Sequence, residues 1–209
     1  MSIRTLAIAM PVAMFALGVI ASTASAYAQA SLGNEPHSCD AITVNPYLGP
    51  DTLVPFTDVC SATGGGLFVL VRTSNPGSGT FQLHGEVPLW RRVAEAVEQA
   101  GAGLMGASGY SSVGAVVGAT KAEELAEIRA AMPRTPFLLP GYGAQGAGAE
   151  DIVPAFVDAK HPWRGGLVNS SRGIAFAWRH QPNAHWKDAS AQALEHMLGD
   201  LDQALSITR

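Results

Sequence analysis

Two short loops carry the residues of this sequence that are best suited to hold a phosphate group. Residues 141–146 read Gly-Tyr-Gly-Ala-Gln-Gly and follow an apolar run, and residues 169–174 read Asn-Ser-Ser-Arg-Gly-Ile. Glycines let backbone N–H groups approach phosphate oxygens, and the guanidinium of Arg172 offers two parallel charge-assisted hydrogen bonds. The two loops together predict a phosphate site. The alternative is a pair of ordinary turns, with Arg172 in a surface ion pair.

The first loop also matches G-x-G-x-x-G, the fingerprint of a dinucleotide-binding domain. Such a fingerprint usually opens a domain with several strands to follow, whereas a single predicted strand follows residue 146 here. In a (β/α)₈ barrel, by contrast, the loops after strands seven and eight commonly form a phosphate cradle. We therefore favour a barrel phosphate site and keep the dinucleotide-binding domain as the alternative.

Short apolar runs alternate with alanine-rich amphipathic segments from Asp40 onward, which predicts successive βα units around a parallel sheet. Each run is nearly all apolar, as in a strand that is covered on both faces, and each ends in polar, glycine or proline residues, where function is expected. The predicted strands are residues 41–44, 67–71, 113–117, 137–139 and 167–168. The predicted helices are residues 24–32, 89–99, 122–132, 152–159 and 190–205.

Composition argues against several classes of partner. The chain has 209 residues, of which 47% are hydrophobic and 14% charged, and this fits one globular domain. The net charge of −4, without a run of like charges, argues against nucleic acid and anionic membranes. No metal site is expected, because the histidines are scattered; even His180 and His185 are separated by Pro182.

The amino terminus resembles a signal peptide over residues 1–28. Arg4 precedes an apolar run at residues 6–20, and the small residues Ala24-Ser25-Ala26 follow it. Export is therefore an alternative to a cytoplasmic location. A membrane span is not expected, because Pro11 interrupts the run, which lacks 18 uninterrupted apolar residues.

Five segments occur in chain order: AITVNPYLG at 41–49, FVLVRTSNP at 68–76, GAVVGAT at 114–120, LPGYGAQG at 139–146 and NSSRGI at 169–174. They resemble consecutive signature segments of the long-form bacterial orotidine-5′-phosphate decarboxylases, and the resemblance extends backward through residues 20–29. It implies an α/β fold in which residues 20–209 are the carboxy-terminal part of a (β/α)₈ TIM barrel. The barrel is incomplete, with about five of the eight βα units, and contains strands four to eight. Residues 1–19 form a non-matching apolar segment.

The resembled family is a cofactor-free homodimeric lyase of pyrimidine synthesis that converts orotidine 5′-monophosphate (OMP) into uridine 5′-monophosphate (UMP) and carbon dioxide. The resemblance implies that Ser74 bonds the pyrimidine amide and that Pro140 lines the base pocket. Gln145 would bridge pyrimidine and phosphate. Arg172 and the N–H group of Gly173 would bind the phosphate.

The resemblance also implies that Thr23 reaches across a homodimer interface toward the ribose site of the partner. For Thr23 and Ser74 the alternative role is simple capping or turn formation. A cytoplasmic location goes with a pyrimidine-synthesis enzyme.

The sequence departs from the family at its catalytic motif, Asp-x-Lys-Arg-x-Asp, which precedes the Ile-x-x-Thr found at residues 20–23. Alignment on that anchor puts Ala16 at the lysine position, Met14 and Val19 at the aspartate positions, and Leu17 at the arginine position. In the family the lysine protonates the carbon that loses carbon dioxide, and the carboxylates orient it. The chain as written is therefore expected to be inactive.

Three hypotheses account for this departure. The first is an incomplete gene product, for which upstream DNA would encode the missing strands and the motif. The second is a remnant that binds nucleotide phosphate without catalysis. The third is an exported protein from which the first 26 or 28 residues are removed.

Overall fold

Five parallel strands lie side by side in chain order, so each neighbouring pair is joined by a crossover. The computed structural model describes residues 17–33, 38–118, 122–143, 147–156, 164–181 and 183–207. The strands are β1 (Ala41–Val44), β2 (Gly66–Arg72), β3 (Val113–Val117), β4 (Phe137–Pro140) and β5 (Gly166–Asn169).

Helices occupy most of the connections. They are α1 (Leu17–Leu32), α2 (Val54–Thr63), α3 (Gly79–Gln82), α4 (Leu89–Gly101), α5 (Ala122–Ala131), α6 (Ala149–Ile152), α7 (Ser171–Ala175) and α8 (Trp186–Ile207). Short 3-10 helices lie at Pro50–Leu53, Pro76–Ser78, Val153–Ala155 and Ala177–His180. No helix within the described ranges is both long enough and apolar enough to cross a lipid bilayer.

All five predicted strands are confirmed, each to within one residue at either end. The predicted helices at 89–99, 122–132 and 190–205 are confirmed as α4, α5 and α8. The predicted helix at 152–159 is wrong. α6 ends at Ile152, a 3-10 turn that contains Pro154 follows, and Phe156 has an extended backbone. Proline lacks the N–H group that a continuing helix needs, and residues 157–163 lie outside the described ranges.

Two helices differ from the sequence expectation. α1 begins at Leu17 and ends at Leu32. It therefore runs across the predicted boundary after residue 19 and across the two predicted cleavage positions, after residues 26 and 28. α2 was not predicted, although its signal is present. Leu53, Phe56 and Cys60 recur at spacings of three and four residues and are all buried. Gly64 ends the helix in the left-handed region with φ 77°, where glycine is favoured.

The hydrophobic core lies between the sheet and its helices. Alternate residues of β2, Leu67, Val69 and Val71, are buried against it, as are Trp90 and Val97 of α4. Full burial of one such side chain contributes roughly 1.5–3 kcal/mol. This layer fixes the strands, and with them the positions of the loops at their carboxyl ends.

Among the strands that the structure describes, only the central one is buried on both faces. Every residue of β3 is buried, whereas β1 and β5 alternate between half-buried and exposed residues, and Leu167 is 55% exposed. The prediction that each strand is covered on both faces is therefore wrong for the two edge strands. Within the described residues β1 and β5 each have one neighbouring strand, so the sheet that they bound is open at both edges.

Candidate phosphate site

The two predicted phosphate loops lie next to each other. β4 and β5 are neighbours, with Pro140 in register with Asn169, so their carboxyl ends lie at the same edge of the sheet. The buried hydroxyl of Ser170 donates a hydrogen bond to the carbonyl oxygen of Tyr142 at 3.1 Å. The structure thus joins the described parts of the two loops directly.

The first of the two loops, residues 141–146 and hereafter the glycine loop, contains two glycines with positive φ angles. Gly141 has φ 109° and Gly143 has φ 72°, values that a residue with a Cβ rarely adopts. The N–H group of Gly143 donates to the carbonyl of Ala147 at 2.9 Å and closes the turn. Gln145 lies between these two residues, outside the described residues.

Arg172 lies on α7, directly after the loop of Ser170. Its side chain is exposed, and it forms no ion pair with any residue that the structure describes. Gly173 is exposed as well, and a Cβ there would lie 2.6 Å from the hydroxyl oxygen of Ser170. A side chain at position 173 would therefore push against the hydroxyl that links the two loops.

Ser74 lies on the loop after β2, where it packs against the end of β3. A Cβ on Gly118 would be 2.8 Å from the Cβ of Ser74, so the absence of a side chain at Gly118 allows the loop to approach this closely. Ser74 and Pro140 therefore share one edge of the sheet, although β3 separates their strands.

A polar network centred on Arg72 holds the loop of Ser74. Arg72 Nε lies 2.6 Å from Glu124 Oε1 of α5, and Nη1 donates to Ser78 Oγ and Gln82 Oε1. Gln82 Oε1 also accepts the backbone N–H of Thr73 at 2.9 Å. Because both members of the ion pair are largely buried, the network fixes the start of the loop more firmly than a surface pair would.

Comparison with known proteins identifies the family of this chain. Residues 20–187 match the model of the Orotidine 5'-phosphate decarboxylase / HUMPS family. The chain belongs to this family. Its fold is accordingly part of a (β/α)₈ barrel with five βα units, as the resemblance implied.

Named relatives cover most of this chain. Orotidine 5'-phosphate decarboxylase from Rhodopirellula baltica is 45% identical over 192 residues, which cover 85% of this chain and 62% of the relative. The one from Caldicellulosiruptor bescii is 41% identical over 197 residues, or 90% of this chain and 64% of the relative. The chain therefore spans less than two thirds of the length of these curated relatives.

Solved structures give the same result for the fold. The Leishmania donovani OMP decarboxylase superposes with a TM-score of 0.67 at 33% identity and covers 88% of this chain and 64% of its own. The Leishmania donovani UMP synthase gives a TM-score of 0.67 at 36% identity, with 88% and 37% covered.

Apart from Gln145, which lies outside the described residues, the predicted site residues fall into two groups. Ser74, Pro140, Arg172 and Gly173 all lie at the carboxyl edge of the sheet. Thr23 lies on α1, which packs against α2 and β1 at the far end of the sheet, and its side chain is outside the described residues. The helix of Thr23 thus lies on the β1 side of the sheet, whereas the two phosphate loops follow β4 and β5.

Three polar contributors near the site were not predicted from the sequence. Arg72 had a signal, because a charged residue that ends an apolar strand needs a partner. Glu124 looks like an ordinary acidic residue in the first turn of a helix. Asp200, which accepts a hydrogen bond from Tyr142, is 58 residues away along the chain and had no signal.

Proposed function

We propose that this chain supplies the nucleotide-binding half of an orotidine 5′-phosphate decarboxylase, the carboxy-lyase that converts OMP into UMP and carbon dioxide. The observation that carries the proposal is the hydrogen bond between Ser170 and the Tyr142 carbonyl, at 3.1 Å, which joins the two loops. Arg172 follows this bond by two residues and is exposed, and its guanidinium offers the paired donors that suit a phosphate dianion.

Each site residue has a proposed role. Arg172 and the N–H group of Gly173 bind the phosphate, and Gln145 bridges phosphate and pyrimidine. Ser74 bonds the pyrimidine amide, since the Arg72 network holds its loop at the same edge of the sheet. Pro140, half-buried at the end of β4, lines the base pocket.

The decarboxylation step itself is not expected in this chain. Loss of carbon dioxide leaves a carbanion that must be protonated, and a positioned lysine is the proton donor that the family motif provides. Ala16 at that position, and Met14 and Val19 at the carboxylate positions, have no ionisable group. Residues 14 and 16 lie outside the described residues, and Val19 is within α1.

The remaining proposals concern organisation. Residues 1–19 are the non-matching segment, and residues 20–209 are the barrel part. Two copies of the chain form a homodimer in the cytoplasm, where Thr23 of one copy approaches the ribose site of the other. Sedimentation at micromolar concentration tests the dimer, and a monomer throughout would contradict it.

Two titrations and one assay test the proposed function. UMP and uridine, which differ only in the phosphate, are titrated separately into the full chain by calorimetry. Charge-assisted hydrogen bonds of roughly 1.5–3 kcal/mol predict that UMP binds about ten- to a hundredfold more tightly than uridine. Equal affinities would overturn the phosphate site.

The assay measures OMP turnover by chain purified from a host without its own decarboxylase. We expect no turnover above that of a preparation from the empty vector. Turnover well above that level would show that another group protonates the carbanion, and the alignment of Ala16 with the lysine position would then be wrong.

A further inference from the structure

Tyr142 is held at both ends, although it lies in a glycine loop. Its side chain is 8% exposed, and its hydroxyl donates to Asp200 Oδ2 of α8 at 3.1 Å. Its carbonyl accepts the hydroxyl of Ser170 at 3.1 Å, and an isolated β-bridge joins it to Ala147 on the far side of the loop. These contacts attach the loop to β5, to its own return segment and to the last helix of the chain.

Tyr142 and Asp200 both line a cleft of about 500 Å³ between the glycine loop and α8. The polar side chains that line it come from Tyr142, Glu150, His196, Asp200 and Gln203. His196 Nδ1 lies 3.1 Å from the same Asp200 oxygen that accepts the tyrosine hydroxyl. Asp200 thus bonds to the loop on one side and to its own helix on the other.

We infer that Tyr142 is a positioning residue, which fixes the glycine loop to α8 through Asp200 and thereby sets the loop for the phosphate. The inference rests on the proposed function, and it extends the phosphate site to a helix that contains none of the predicted site residues. The phenol–carboxylate bond fixes Tyr142 itself, which lies between Gly141 and Gly143 at the start of the loop.

Packing alone does not explain a tyrosine at this position. A phenylalanine would fill the same space, and burial of a hydroxyl costs free energy unless it has a partner. That partner is on α8, 58 residues further along the chain, so the bond closes a long-range connection. Two left-handed glycines add backbone freedom to the loop, so the bond to α8 adds to the restraints that Ser170 and Ala147 provide.

The test compares four variants with the full wild-type chain. Tyr142→Phe removes only the hydroxyl, and Asp200→Ala removes its acceptor together with the partner of His196. Asp200→Asn restores an acceptor oxygen without the charge. Asp202→Ala is the control, because Asp202 is an exposed acid on the same helix that does not line the cleft.

Two measurements are made on each variant: the affinities for UMP and for uridine, and amide hydrogen exchange of residues 141–148. We expect Tyr142→Phe and Asp200→Ala to weaken UMP binding by about three- to tenfold, the effect of one hydrogen bond, and to leave uridine binding unchanged. Exchange in the loop should become faster in both. Asp200→Asn should recover most of the UMP affinity, and Asp202→Ala should match wild type.

The possible failures are distinguishable. Equal losses of UMP and uridine affinity, with a lower melting temperature, would show a merely structural role and overturn the inference. Unchanged loop exchange in Tyr142→Phe would overturn it regardless of ligand. A wild-type chain that binds UMP and uridine equally would overturn the proposed function, and the positioning role with it.

Discussion

The guanidinium carbon of Arg129 lies 3.5 Å from the centre of the Phe137 ring, at the amino end of β4. Arg129 is 3% exposed, and its Nη atoms donate to the carbonyls of Met132, Thr135 and Gly165 at 2.8–2.9 Å. Those carbonyls lie in the turns that precede β4 and β5. One side chain on α5 therefore fixes the start of both strands whose other ends carry the phosphate loops.

Arg129→Ala should lower the free energy of unfolding by about 2–4 kcal/mol, because it removes three charge-assisted hydrogen bonds and the packing of the buried guanidinium on Phe137. Burial lowers the pKa of Arg129 to about 10, so the side chain is still charged at neutral pH. Urea unfolding at pH 7 measures the change. Arg91→Ala is the control, since Arg91 pairs with Glu95 only at the surface and should contribute less than about 1 kcal/mol.

The Arg129 variant should leave UMP affinity unchanged at temperatures well below its melting point, because its contacts lie at the opposite edge of the sheet from the phosphate loops. A loss of stability no larger than that of Arg91→Ala would contradict the structural role.

Gly118→Ala should disturb the loop of Ser74, because the new Cβ would lie 2.8 Å from Ser74 Cβ and 2.9 Å from its backbone nitrogen. Overpacking of this kind costs about 1–3 kcal/mol, part of which displaces the loop. We expect UMP and uridine affinities to fall together by about fivefold or more, since Ser74 is proposed to contact the base that both ligands share.

Gly103→Ala is the matched control, because a Cβ there would meet nothing within 4 Å. Calorimetric titration of both ligands checks the result. A fall in UMP affinity alone would place Ser74 near the phosphate rather than the base and would contradict its proposed role.

The sequence predicted the strands well, because each is a short apolar run that ends in glycine, proline or polar residues. The end of such a run marks the carboxyl edge of a parallel sheet, so Ser74, Pro140 and Arg172 could be placed before the structure was known. Local pattern was sufficient here, since these positions follow from the strand that precedes them.

Contacts between distant residues were not predictable in this way. From the sequence, Arg129 looks like a solvent-facing residue of a helix. It is nevertheless buried, because three carbonyl groups of nearby turns accept hydrogen bonds from its guanidinium. The bond from Tyr142 to Asp200 depends on how α8 packs against the glycine loop. Neither relationship has a periodicity or a spacing that one sequence can reveal.

The stability that Tyr142 contributes should disappear in alkali. Burial, together with the hydrogen bond to Asp200, raises the pKa of Tyr142 to about 12, whereas an unfolded tyrosine ionises near pH 10. The folded state therefore favours the protonated phenol. Its contribution is fully present below pH 10 and is lost as pH rises from 10 to 12.

Urea unfolding of wild type and Tyr142→Phe at pH 9, 10, 11 and 12 checks this linkage, because the other ionising groups are common to both chains. Wild type should be the more stable at pH 9, and the gap should close toward pH 12. A gap that stays constant across the range would contradict the raised pKa.

Arg172→Ala should weaken UMP binding by about ten- to a hundredfold, because it removes charge-assisted hydrogen bonds of roughly 1.5–3 kcal/mol. Uridine binding should be unchanged, since uridine has no phosphate. The melting temperature should change little, because Arg172 is exposed and pairs with no described acid. Arg172→Lys should recover only part of the affinity, since an ammonium group keeps the charge but lacks the planar pair of donors.

Calorimetric titration of UMP and uridine into wild type and both Arg172 variants measures these affinities. Equal UMP affinity of wild type and Arg172→Ala would remove Arg172 from the phosphate site, and a large fall in melting temperature would instead indicate a structural ion pair.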